Sequence, residues 1–74
     1  MGDYTWISTN VYGSLPPGAI LAGHDSDQDP IFVGRAHHHG SLTPGKIHQS
    51  HHCLYIPFDG EEVRIDHYEV LVKG

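Results

Sequence analysis

Short apolar runs, each cut off by glycine or proline, dominate the chain, and none sustains a helical period. Tyr4-Thr5-Trp6-Ile7-Ser8 predicts a first strand, and Ser14-Leu15-Pro16-Pro17-Gly18 a turn. Ala19–His24 and Ile31–His37 predict two further strands, joined as a hairpin by the acidic loop Asp25-Ser26-Asp27-Gln28-Asp29-Pro30. Thr43-Pro44-Gly45-Lys46 reads as a tight turn, with proline at its second position and glycine where φ is positive. Leu54–Phe58 predicts the next strand, and Asp59-Gly60 a hairpin turn. Val63–Val72 closes the chain as the longest strand, with Val63, Ile65 and His67 on one face. Its end, Tyr68–Val72, is apolar on both faces, which predicts burial. Turns about every eight to twelve residues predict an all-β fold, a small antiparallel β-sheet domain.

Length bounds this picture. The 74 residues allow one domain, 1–74. A domain of this size buries only about 60% of its unfolded surface, and small domains commonly need a disulfide, a metal or a partner subunit. The single Cys53 rules out a disulfide within the chain. A free thiol, and a start (Met1–Trp6) with neither a basic nor an apolar leader segment, predict a cytoplasmic location or export by a non-classical route. The apolar runs are too short to insert in a membrane. Formal charge is −5 with only four scattered basic residues, which argues against nucleic acid as a partner. Eight histidines bring the net charge toward zero at mild acidity.

Candidate chemistry is sparse. Asp25, Asp27 and Asp29 alternate like the opening of a calcium loop, but Pro30 and Ala36 stand where that loop requires glycine and glutamate. Cys53 follows His52 directly, and neighbouring side chains on a strand diverge, so the two do not form a thiol–base pair. Glu61-Glu62 reads as a solvated pair after a turn, Trp6 and Tyr68 as core, and Tyr55 and Tyr12 as possible groove residues. An enzyme is not expected. A lysine held by a turn (Lys46) and a loop carboxylate (Asp25) suit a polyhydroxyl ligand, with Arg35, His24 and His39 as further candidates. The alternative is a zinc-binding module using His37, His39, His48, His51 or His52; a third reading is a structural assembly domain without a ligand.

The ordered set Trp6, Leu15-Pro16-Pro17-Gly18-Ala19-Ile20, Gly23-His24-Asp25, Ile31–Ala36, Leu42–Ile47, Gly60-Glu61-Glu62 and Tyr68-Glu69-Val70-Leu71 resembles the DM-nine repeat family, also found in natterin-like proteins. The resemblance implies a β-rich lectin for mannose-type sugars, used in innate recognition of microbial glycans, with no cofactor or metal needed for sugar binding. It also implies that Asp25 and Lys46 contact the sugar. Family lectins usually carry the repeat in tandem, whereas this chain has one copy. The expectation is therefore a homodimer, completed by two-fold association or hairpin exchange.

Overall fold

A computed structural model describes residues 2–74. Seven strands form one antiparallel sheet: β1 (Tyr4–Asn10), β2 (Leu21–His24), β3 (Pro30–His38), β4 (Ser41–His48), β5 (Cys53–Phe58), β6 (Glu61–Ile65) and β7 (His67–Lys73). A single 3-10 turn, Gln49–His51, links β4 to β5. Along the sheet the order is β1-β7-β3-β4-β5-β6, with β2 also paired to β3. The first and last strands pair over their full length, from Tyr4–Lys73 to Asn10–His67.

The expected closing strand is two strands. Asp66 breaks it, and β6 and β7 pair with different neighbours although one residue separates them. The sheet must therefore curl until its β6 end returns to β7, as a bent strand does at a sheet corner. The corner is held by the Val11 N–H, which donates to the Asp66 carbonyl at 3.1 Å, and by the Arg64 Nε, which donates to the Asp66 carboxylate at 3.0 Å.

Curling gives the sheet a dry inside. Ile47, Leu54, Ile56 and Val70 are fully buried there, with Ala36, Tyr68 and Val72 beside them. Leu15 and Ala19, from the segment before β2, pack against the same cluster, together with Phe32, Val63 and Ile65. Burial also pushes the Tyr68 phenol pKa up. Strand alternation sends the intervening side chains outward: Trp6, Arg35, Lys46, His48, Tyr55, Glu62 and Glu69 occupy the outer face.

Thr43-Pro44-Gly45-Lys46 is not a turn. It lies within β4, with Thr43 opposite Ala36 and Lys46 opposite Val33. The reversal between β3 and β4 is instead made by His39 and Gly40, both with positive φ (49° and 77°). Asp59 and Gly60 make the β5–β6 turn in the same way, at 53° and 80°. Two-residue hairpins of this hand need positive φ at both central residues. Histidine tolerates that region better than most side chains, and it hides the turn from a reading keyed to Asn-Gly or Asp-Gly. Gly45 serves close approach rather than chain reversal: a Cβ there would collide with the Tyr55 carbonyl oxygen.

Candidate functional site

Two prolines open the outer face. Backbone pairing between β4 and β5 covers Lys46–Tyr55, Ile47–Leu54 and His48–Cys53. Beyond it come Pro44 on one strand and Pro57 on the other, and neither has an N–H to extend the ladder. A groove of about 620 Å³ lies there, lined by Pro44, Gly45, Lys46, Tyr55, Pro57 and the turn into β6, Gly60-Glu61-Glu62. That volume falls within the roughly 300–1,000 Å³ of small-ligand clefts.

Lys46 stands directly across from Tyr55, on a strand paired on both sides at that point. Its ammonium is uncommitted: among the described residues it forms no ion pair. The Tyr55 ring is held from behind. Its hydroxyl lies 2.9 Å from the His51 Nδ1, and its ring meets those of His48 and His51 edge-on. The buried Cys53 thiol, and then burial, raise its pKa above the ordinary tyrosine value. The site therefore combines an anchored aromatic floor, the Lys46 ammonium and the Glu62 carboxylate, with space between them. That suits a small molecule with an apolar ring face and hydroxyl edges.

Asp25 lies elsewhere on the same outer face. Its Oδ1 accepts the Asp27 and Asp29 N–H groups at 2.8 and 2.9 Å, and its Oδ2 is 3.4 Å from the His48 Nδ1. The Asp29 N–H is the chief cause of a carboxyl pKa held below the usual range. His48 is two positions from Lys46 on one strand face, but Asp25 itself does not line the groove that Lys46 borders.

The further candidates are engaged at other points. The Arg35 guanidinium lies 4.0 Å from the Trp6 ring centroid, and its Nε donates to the Glu69 Oε1 at 2.7 Å. This places Trp6 against an outer-face cation and outside the core cluster. His24 ends β2 opposite Pro30. His39 stacks on Phe58 at 5.0 Å, beside the edge-on His38. Tyr12 is 94% exposed and lines no part of the groove.

The five histidines proposed as zinc ligands do not converge. His37 lies by Arg35 and Glu69, His39 against Phe58, and His52 beside Leu15 and Tyr68. His48 and His51 stack at 5.1 Å. Among the described residues, the one group able to offer three metal donors within 4.8 Å of one another is Asp25, Asp29 and His48. Glu62, read from the sequence as a solvated residue, is exposed and also lines the groove, which the sequence reading did not foresee. The signal for it is the proline pair on β4 and β5, legible only once the strands are registered.

A family model described as the DM9 repeat matches residues 1–65. Natterin-4 of Thalassophryne nattereri is 34% identical over 59 residues, a match that takes in 80% of this chain and 13% of natterin-4. The chain thus spans a small part of that relative's length.

Proposed function

The chain belongs to the DM9 repeat family, and from that premise we propose that it is a carbohydrate-binding module for neutral, mannose-type sugars. Membership is compatible with a lectin-like role. The observation that carries the reading is Lys46: a cation without an ion-pair partner among the described residues, beside an anchored tyrosine, in a groove of ligand size. Its three N–H donors suit vicinal hydroxyls, and the apolar floor suits the C–H face of a pyranose. Asp25, beside His48 on the same face, is the second polar contact in this reading; among the described residues its Oδ2 accepts no backbone hydrogen bond. Both charges must shed water on binding, which sets single-site affinity at about 10 μM to millimolar. Two such sites in a homodimer would add avidity on a mannan surface, as innate recognition of microbial glycans requires.

Calorimetric titration with mannose, repeated with chelator, tests this. The expected result is saturable heat unaffected by the chelator. Lys46→Ala should weaken binding about tenfold or more, since a hydrogen bond to a charged group contributes roughly 1.5–3 kcal/mol. Its unfolding temperature should stay close to that of the parent, because Lys46 is exposed. Heat with zinc alone, and none with any sugar, would sink the reading.

A further inference from the structure

Lys46 and Glu62 border one groove, yet among the described residues neither forms an ion pair or a side-chain hydrogen bond. Lys46 on β4 and Glu62 on β6 are separated by β5, whose Tyr55 and Pro57 lie between them. Resting on the carbohydrate-binding reading above, we infer that Glu62 is the hydroxyl-accepting wall of the groove and the residue that sets its selectivity for neutral over acidic sugars.

The argument is built from register. Val63 and Ile65 pack against the core, so alternation turns Glu62 and Arg64 to the outer face. Arg64 pairs with Tyr55 across the strands and spends its Nε on Asp66. Glu62 stands opposite Pro57, and among the described residues no ion pair or side-chain hydrogen bond engages its carboxylate. Its carboxylate is therefore free to accept hydroxyl hydrogens from a ligand whose other edge Lys46 donates to. The Asp59-Gly60 hairpin holds it there, on two positive-φ residues. Glu61 also borders the groove, but alternation along β6 turns its side chain to the face opposite that of Glu62. The Glu62 carboxylate, on a chain of net charge −5, repels a uronate or sialyl carboxylate and leaves a neutral hexose unaffected.

The test uses the intact chain, titrated calorimetrically with mannose and with mannuronic acid. Wild type should bind mannose and reject the uronate. Glu62→Gln should weaken mannose binding about tenfold and narrow the preference for mannose over the uronate. Glu62 is exposed, and thermal unfolding of the variant should overlay the parent. A measurement without a variant accompanies it: on adding mannose to the wild type, the amide resonances of Gly60, Glu61 and Glu62 should shift together with that of Lys46. Mannose affinity within twofold of wild type in the variant, or shifts at Lys46 with none at residues 60–62, overturns the role of Glu62 and leaves the lectin reading standing. No sugar binding by the wild type overturns both.

Discussion

Asp25 shows how a single side chain couples local geometry to solution behaviour. The Asp29 N–H, the Asp27 N–H and the neighbouring His48 all favour its ionised form, and its carboxyl pKa is depressed in the folded chain. A group with a depressed folded pKa contributes stability that is present above the unfolded carboxylate value, about 3.9, and is lost as pH falls through the folded value. Asp25→Asn should therefore lower the unfolding temperature at neutral pH and flatten its decline on acidification below about pH 4. Parallel acid branches for the two proteins would show that the loop does not hold the carboxylate as described. This residue was legible in the sequence as a loop acid, whereas Lys46, read as a cation held by a turn, stands within β4. The place of Glu62 on the groove was not legible, because it depends on strand register across β5 from a lysine sixteen positions earlier.

Elements were legible where chain chemistry is local. The strands expected from Tyr4, Ile31 and Leu54, and the Asp59-Gly60 turn, all form, with ends shifted by a residue or two. The second is shorter: β2 is Leu21–His24, and Ala19 makes only an isolated bridge to Val72. Pro44-Gly45 misled for a physical reason. Proline and glycine favour turns in isolation, and both also suit a strand that runs out of partners or must approach another backbone. Gly45 gives this a test. In Gly45→Ala the new methyl meets the Tyr55 carbonyl, a backbone atom that cannot swing aside. The cost should be about 1–3 kcal/mol in urea unfolding, with weaker sugar binding as β4 and β5 are pushed apart. An unchanged midpoint would mean that the two strands do not approach so closely. The closing strand misled differently: its apolar pattern runs through Asp66, and the bend there comes from curling of the whole sheet.

At the scale of the molecule, the chain leaves apolar surface unused. Tyr4 and Leu21 are more than half exposed, and Ile7 more than a third. β1 is an edge strand, joined to the sheet through β7 alone. Edge strands with exposed apolar side chains invite association. The proposed homodimer would cover them, and sedimentation at micromolar concentration should give a two-chain particle; Ile7→Asp should shift it toward one chain. A folded single-chain species for the parent at those concentrations would remove the dimer, and with it the avidity argument, while leaving the groove intact.

The sequence by itself determined the all-β, antiparallel class, the single cysteine and the family pattern, because these follow from local backbone preference and residue count. Tertiary structure alone decided which face each strand turns outward, where pairing stops, and which charges meet across the opening. Those depend on register between segments distant along the chain, and a slip of one residue would send every side chain of a strand to the other face.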